Sequence, residues 1–250
     1  MKRNTRGSNN ADYIYGKHAV AEALKYRPDV VRSLLIEPGK HADLKTLSDV
    51  PTGMLNLRQM PGGISPEAVH QGVVAEIDTK KLMLGYKDFM SNLEITPKTA
   101  VAVLGEIQDP HNVGAIIRSA AAFGLAGVFI PPHRQASVTA TVIKVSAGMA
   151  FRIPLIEIKN VNATVRDLKE RGFWSYGLAG EGDVSLPDEK FDRPSVFVVG
   201  NEGDGLREKT REVCDTLISI PINERCESLN ASNAAAVTFY GWSTQRKASI

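Results

Sequence analysis

Residues 194–206, PSVFVVGNEGDGL, join an apolar run to a glycine-rich loop. The β-branched and aromatic residues before Gly200 predict a buried strand. A glycine loop after a strand is typical of a phosphate site, but this loop carries Glu202 and Asp204 and no lysine. Repulsion between those carboxylates and a polyphosphate disfavours that ligand. An ordinary strand-to-helix turn with glycines at positive φ is the alternative interpretation.

The composition is that of a soluble globular protein, because 43% of the 250 residues are hydrophobic and 23% are charged. No apolar run approaches the ~18 residues of a membrane helix, and no apolar segment follows the polar start. Cys214 and Cys226 lack metal-ligand spacing and suit a reducing compartment. We therefore expect structural thiols, no metal, no membrane and a cytoplasmic location. The net charge of +2 is too small to indicate a nucleic-acid partner, although basic residues cluster in an arm over residues 1–12 that is expected to be disordered.

Two regions with different patterns follow the arm. Residues 13–78 predict a small α/β domain, and residues 79–98 predict a linker containing a short helix. The elements expected in the first region are a helix over 14–26, a strand over 30–38, a short helix near 41–48, a possible strand over 54–58 and a strand over 72–77.

From residue 99 onward, apolar strands alternate with amphipathic helices, which predicts a parallel α/β sheet. The expected strands are 100–107, 127–131, 152–158, 173–179, 194–200 and 216–221, and the expected helices are 112–123, 138–147, 161–171 and 231–246.

A polar motif, DPHNVGAIIRSAAAFG over 109–124, follows the first of these strands. Pro110 ends the strand, and Asn112 can cap the helix that begins there. Arg118 places a planar five-donor group among small residues, which suits a phosphate or a carboxylate. A capping asparagine and an arginine paired with a nearby acid are the structural alternative.

Another motif, ISIPINERCESLNASNAAAV over 218–237, follows the last strand. Ser228, Leu229 and Asn230 open a helix of small residues whose first amides can accept a polar ligand. The alternative is a capped, tightly packed helix. Ligands of open parallel sheets bind beyond the carboxyl ends of the strands, and all three motifs lie there. Together they predict one site.

The three motifs resemble those of the SpoU family, the TrmH-like RNA ribose 2′-O-methyltransferases of the SPOUT class. The matching patterns are N-x-G-x-x-x-R from Asn112, G-N-E-G-x-G-L from Gly200, and I-P followed by S-L-N-x-S from Ile220. In addition, YGKHAVAEAL (15–24) and AVHQGVVAEI (68–77) resemble the L30e-like substrate-binding domain of that family. The loop over 223–228 and Asn233 depart from the usual motif.

The resemblance implies S-adenosylmethionine as cofactor, a homodimer with a composite site, and a deep trefoil knot in the domain over 99–250. Periodicity could not have revealed a knot, since knots are almost absent from proteins. By position, the cofactor would contact Gly200, Asn201, Gly203, Ile220, Ser228 and Leu229, and the active-site set would be Asn112, Arg118, Glu202, Ser228 and Asn230.

The implied reaction is methyl transfer to a ribose 2′-hydroxyl, which makes RNA the substrate. The chain resembles in particular the bacterial enzymes that methylate a guanosine of 23S ribosomal RNA. Methylation of a transfer RNA ribose and a non-catalytic role in ribosome assembly are the alternatives. A guanidinium pKa of about 12 or more makes Arg118 a poor base, so we expect it to hold a phosphate or the ribose. Lys17, His18 and Arg32 are further candidates for RNA contact, although a core or capping role is an equal alternative for His18.

Overall fold

The computed structural model describes residues 12–65 and 67–246. The predicted arm therefore lies outside the described residues, apart from Asp12, which begins a strand. The chain divides between Lys81 and Leu82 into two compact units, here called the N-terminal and the C-terminal unit.

The N-terminal unit is a four-stranded mixed sheet with one α-helix. Its strand order is β1-β4-β2-β3, with β1–β4 and β4–β2 antiparallel and β2–β3 parallel. The elements are β1 (Asp12–Tyr15), α1 (Lys17–Tyr26), β2 (Val31–Ile36), β3 (Thr52–Met54) and β4 (Val73–Ile77).

Two predictions for this unit were wrong in their boundaries. Ile14 and Tyr15, expected in the first helix, pair with β4 instead, because Gly16 at φ 92 reverses the chain before α1 begins. The possible strand over 54–58 lies earlier, where Thr52 pairs with Leu34. Both differences come from pairing with distant strands, which local periodicity does not report.

The C-terminal unit is an eight-stranded sheet in which every pair is parallel, in the order β10-β12-β9-β11-β6-β7-β8-β5. This confirms the predicted parallel α/β sheet. Its strands are β5 (Met83–Gly85), β6 (Ala100–Leu104), β7 (Gly127–Ile130), β8 (Leu155–Glu157), β9 (Trp174–Leu178), β10 (Val184–Ser185), β11 (Ser195–Val199) and β12 (Thr216–Ser219). Its helices are α2 (Tyr86–Asn92), α3 (Pro110–Ala122), α4 (Ala140–Val145), α5 (Val161–Glu170), α6 (Glu208–Arg211) and α7 (Ala231–Arg246).

The predicted linker over 79–98 is not a simple connection. Met83–Gly85 pair with β8 as the edge strand of the large sheet, and Phe89 and Met90 of α2 are buried in its core. Phe89 packs edge-on against Phe129 with ring centroids 5.6 Å apart. The apolar stretch LMLGYKDFM thus belongs to the C-terminal unit because it covers an otherwise exposed end of the sheet.

Aromatic packing fixes α7 on the sheet. Phe197 of β11 lies 5.6 Å from Phe239 and 6.4 Å from Trp242 between ring centroids, and all three side chains are fully buried. Helix α3 packs against both α7 and α4. No helix among the described residues has the length and apolar character to cross a membrane.

Candidate active site at the carboxyl edge of the sheet

A cavity of about 520 Å³ opens where β9, β11 and β12 end. These strands are neighbours and parallel, so the loops that follow them emerge at the same edge. The six residues predicted for cofactor contact all line the cavity, namely Gly200, Asn201, Gly203, Ile220, Ser228 and Leu229. The volume lies within the range of about 300–1,000 Å³ typical of small-ligand sites.

The loop after β11 closes on itself. The Asn201 amide donates to the Gly205 carbonyl at 2.9 Å, and the Gly205 amide donates back at 3.1 Å. Gly200 is required for this closure, because an added Cβ would lie 2.4 Å from the Gly205 carbonyl carbon. The turn therefore depends on a residue without a side chain, which accounts for a glycine before Asn201.

Glu202 is the centre of a hydrogen-bond network joining this loop to the start of α3. Its Oε1 accepts from the Asn112 Nδ2 at 2.9 Å and from the Asp109 amide at 3.2 Å. Its Oε2 accepts from the Gln108 amide and the Asn201 Nδ2, each at 3.3 Å. A carboxylate accepts about four hydrogen bonds, so the described chain already supplies a full set.

The charge of Glu202 follows from these contacts. Partial burial raises the pKa of the carboxyl, but the hydrogen bonds from Asn112 and from the backbone outweigh it and hold the pKa below its ordinary value. Glu202 is therefore ionised at neutral pH.

Asn112 does not cap α3, contrary to the sequence prediction. The N-cap is Asp109, whose Oδ1 accepts from the His111 amide at 2.8 Å, and Pro110 takes the first helical position. Proline is favoured there because its missing N–H has no intrahelical partner at that position. Asn112 is thus in the first turn, 6% exposed, and directs its amide to Glu202.

Asn230 is the capping residue of α7. Its Oδ1 accepts from the Ser232 amide at 2.8 Å and from the Ser232 Oγ at 2.6 Å. The acceptor of the side chain is therefore used by the helix, and its Nδ2 is the group left for a ligand. Ser228, two residues earlier, is exposed and lines the cavity.

Arg118 is not brought to this cavity within one chain. It is exposed on α3, is absent from the described cavity lining, and forms no hydrogen bond or ion pair with the described residues. The described residues therefore do not support the alternative interpretation in which Arg118 pairs with a nearby acid. Glu202 and Ser228 line the cavity, and Asn112 and Asn230 adjoin lining residues, whereas Arg118 is not among the described lining residues.

The predicted RNA-contact residues of the N-terminal unit are all exposed. Lys17 pairs with Asp43 at 3.0 Å, and Arg32 pairs with Asp78 at 2.8 Å and with Glu76 at 3.8 Å. His18 lies in the first turn of α1, neither in the core nor at the cap. Arg32 is thus the most strongly engaged of the three.

Sequence reasoning missed part of the cavity wall. Residues 178–181, at and just after the end of β9, line it, as do Glu224 and Cys226 of the loop after β12. The glycines of LAGEG at the end of this strand could have indicated a site loop. That conclusion also requires knowing that β9 lies between β11 and β12, which the sequence does not show. Cys226 is exposed at this wall and is not a buried structural thiol. Cys214 is a structural thiol, since burial raises its pKa to about 12.

The lining suits a cation with an apolar part. Five carboxylates and a single basic residue, Arg211, are among the described lining residues, together with apolar side chains such as Leu178, Val199 and Ile218. Arg211 is itself paired with Glu181 at 2.6 Å. Such a wall disfavours a polyphosphate and fits S-adenosylmethionine, which carries a sulfonium and an adenosine but no phosphate.

The family model described as the SpoU rRNA Methylase family matches residues 99–240, which is more than half of the chain. The chain belongs to this family. The match runs from the residue before β6 into α7, so it covers Asn112, the Glu202 loop and the loop before Asn230. The recognition made from the three motifs is confirmed.

Relatives of this SpoU family member match it along nearly its whole length. A protein of Xanthomonas campestris pv. campestris named 23S rRNA (guanosine-2′-O-)-methyltransferase RlmB is 39% identical over 247 residues, covering 96% of this chain and 98% of that one. A protein of the same name from Neisseria meningitidis serogroup B is 38% identical, with coverages of 93% and 95%. The solved structure of the SpoU methyltransferase AviRb from Streptomyces viridochromogenes in complex with AdoMet superimposes with a TM-score of 0.80 at 25% identity, covering 99% of this chain and 95% of that one.

Proposed function

We propose that this protein transfers a methyl group from S-adenosylmethionine to a ribose 2′-hydroxyl in RNA, and that its target is a guanosine of 23S ribosomal RNA. The observation that carries the proposal is the cavity at the ends of β9, β11 and β12, joined through Glu202 to Asn112. The names of full-length relatives support the choice of RNA and nucleotide. A ribosomal substrate supports a cytoplasmic location as part of this proposal.

Glu202 acts as a positioning residue in this proposal. Its four hydrogen bonds leave little capacity to accept the proton of an attacking hydroxyl. The carboxylate instead holds the loop after β11 and the first turn of α3 at a fixed distance. Orientation of this kind is a large term in group transfer, worth about 7–11 kcal/mol for a well-aligned pair.

S-adenosylmethionine, when bound, supplies an activated methyl group on a cationic sulfur. The carboxylates of the lining would favour its positive charge, and the residues that would hold it are Gly200, Asn201, Gly203, Ile220, Ser228 and Leu229. Asn230 would donate its Nδ2 to the RNA ribose, since its oxygen is used at the start of α7. Ser228 would orient the same ribose from the cavity rim.

We propose a homodimer in which Arg118 serves the partner's cavity. The basis is that Arg118 is exposed and unengaged among the described residues, yet is not in the cavity of its own chain. The neighbouring surface carries Val237 and Tyr240, which are 41% and 57% exposed on α7. Tyr240 packs on Phe123, the C-cap of the helix that carries Arg118, so a second copy covering this surface would bury aromatic area at the end of that helix.

A mixed dimer tests this arrangement. Arg118→Ala and Gly200→Ala chains are each expected to be inactive, but a dimer with one of each keeps one intact site if Arg118 acts across the interface. Random exchange in a two-fold dimer then restores about a quarter of wild-type activity. No restoration, with mixed dimers verified by mass, would mean that Arg118 acts in its own chain or that the pairing is different.

We propose that the C-terminal unit contains the deep trefoil knot. β12 lies between β9 and β10, although β9 and β10 are joined directly by residues 179–183. That connection lies against β12, since a Cβ on Gly182 would stand 2.6 Å from the Ile218 carbonyl carbon. The later chain must therefore enter between two strands already connected. A crystal structure with residue 216 onward running around the 179–194 loop, rather than through it, would contradict the knot.

The N-terminal unit is proposed to be an L30e-like RNA-binding domain. All three candidates are exposed, but Lys17 has one acidic partner, whereas the two acids beside Arg32 reduce its availability for phosphate further. Lys17→Glu in the full chain is expected to weaken RNA binding and leave S-adenosylmethionine binding unchanged. If Lys17→Glu and the wild-type protein bound RNA with equal affinity, Lys17 would not be an RNA contact.

The proposed activity is tested by methyl transfer from labelled S-adenosylmethionine to RNA from a strain lacking this gene. Label is expected in 23S rRNA, at a single guanosine located by mapping 2′-O-methyl groups. Label in transfer RNA alone would select the transfer RNA alternative. Absence of transfer to either RNA, with normal S-adenosylmethionine binding, would support a non-catalytic assembly factor.

A further inference from the structure

The loop after β7, residues 131–137 (PPHRQAS), lies beside the active-site loop of β6. β6 and β7 are adjacent and parallel, so both loops leave the same edge of the sheet. The Ile107 amide donates to the Gln135 Oε1 at 2.9 Å, and the Ala136 amide donates to the Ile107 carbonyl at 2.8 Å. The loop is therefore held to the segment that leads directly into Asp109.

Arg134 occupies a constrained position in this loop. Its φ is 54, in the left-handed region that residues with a Cβ adopt infrequently. Pro131 and Pro132 restrict the chain on one side, and the bonds to Ile107 restrain it on the other. The backbone is thus pre-ordered while the side chain is exposed to solvent.

Arg134 is also a cation without a partner among the described residues. Three acids of the neighbouring loops are already engaged. Glu202 accepts four hydrogen bonds, Asp109 caps α3, and Glu106 pairs with Arg207 at 2.7 Å. The positive charge of Arg134 therefore remains free, although these three carboxylates lie in neighbouring loops, because each of them has another partner.

The distance between the Arg134 loop and the Glu202 loop suits a contact between Arg134 and the RNA substrate. β11, which leads into the Glu202 loop, and β7, which leads into the Arg134 loop, are separated by β6 alone. Strands are about 4.8 Å apart, so the two loops start about 10 Å from each other. Arg134 is thus within reach of the backbone on either side of a nucleotide placed at the cavity.

We propose that Arg134 binds a phosphate of the RNA substrate next to the target nucleotide, with His133 exposed beside it. The inference rests on the proposed function, because an RNA at the cavity is what places a phosphate there. An arginine fork matches phosphate geometry with two parallel hydrogen bonds. A pre-ordered loop reduces the conformational entropy lost when that contact forms.

The test compares three variants of the full-length protein at position 134 in binding to unmodified 23S rRNA over a series of salt concentrations. Arg134→Asn removes the charge, and asparagine tolerates the left-handed backbone. Arg134→Glu reverses the charge, and Arg134→Lys keeps it. The control is Arg166→Glu, the same charge change at an exposed residue of α5.

Arg134→Asn and Arg134→Glu are expected to weaken RNA binding, the second by about tenfold. The slope of log affinity against log salt should fall by about 0.7–0.9, while Arg134→Lys and the control keep the wild-type slope. The dissociation constant for S-adenosylmethionine, measured by calorimetry, should be unchanged in all four proteins.

The inference would be overturned if Arg134→Asn bound the RNA with the same affinity and the same salt slope as the wild-type protein. It would also be overturned by a loss of turnover at unchanged RNA affinity, which would mean that Arg134 does not act as a binding contact. Failure of the proposed function looks different, since the wild-type protein itself would then not methylate the rRNA, whatever the RNA affinities of the position-134 variants.

Discussion

Removal of Glu202 is expected to destabilise the C-terminal unit more than removal of its partner Asn112. Glu202→Ala leaves the Asn112 Nδ2 without an acceptor, and Asn112 is only 6% exposed. A buried donor left without a partner costs about 1–3 kcal/mol. Asn112→Ala instead leaves a solvent-exposed carboxylate that still accepts from two amides and Asn201, so the loss is about 0.5–1.5 kcal/mol.

The double variant distinguishes this reasoning from a simple loss of packing. With both side chains removed, the buried Asn112 donor no longer exists, and the exposed Gln108 and Asp109 amides lose the same acceptor as in Glu202→Ala. The destabilisation of the double variant should therefore be smaller than the sum of the single effects by about 1 kcal/mol. Urea unfolding followed by tryptophan fluorescence reports on the correct unit, because both tryptophans, Trp174 and Trp242, lie in it. Equal single effects, or strictly additive ones, would refute the argument that the buried amide depends on Glu202.

Three further outcomes follow from the same edge of the sheet. Gly200→Ala should abolish S-adenosylmethionine binding in calorimetry because its Cβ would meet the Gly205 backbone, whereas Gly203→Ala, with its nearest protein neighbour at 3.5 Å, should keep the turn closed and bind more tightly than Gly200→Ala. Gly114→Ala should lower the free energy of unfolding by about 1–3 kcal/mol, since its Cβ would lie 2.7 Å from the Val145 Cβ; Gly180→Ala, with open space around it, is the neutral control. The pKa of Glu202 is below its ordinary value of 4.5 in the folded protein, so the unfolded chain binds more protons in acid and stability should fall as pH drops through this region. Glu202→Gln should flatten that pH dependence in denaturant titrations, and an unchanged profile would contradict the direction of the shift.

The sequence was sufficient for the architecture and for most of the cavity. Alternating apolar strands and amphipathic helices predicted a parallel sheet, because such runs report burial on both faces. The six residues chosen for the cofactor all line one cavity, since parallel strands place their following loops at one edge. The acids of GNEGDGL already disfavoured a polyphosphate, a conclusion that needs only the signs of the charges.

The tertiary structure decided which of those residues act together. The Asn112–Glu202 hydrogen bond joins positions 90 residues apart, and local periodicity contains no information about such a pair. Insertion of β12 between β9 and β10 brings residues 178–181 into the cavity wall, and the same long-range order makes β5 an edge strand rather than a linker. Arg118 shows the same limit, because its motif predicts a site residue whereas the described cavity lining of its own chain does not include it. Sequence thus determined the residue chemistry and the local conformations, whereas the strand order, set by long-range packing, decided the contacts.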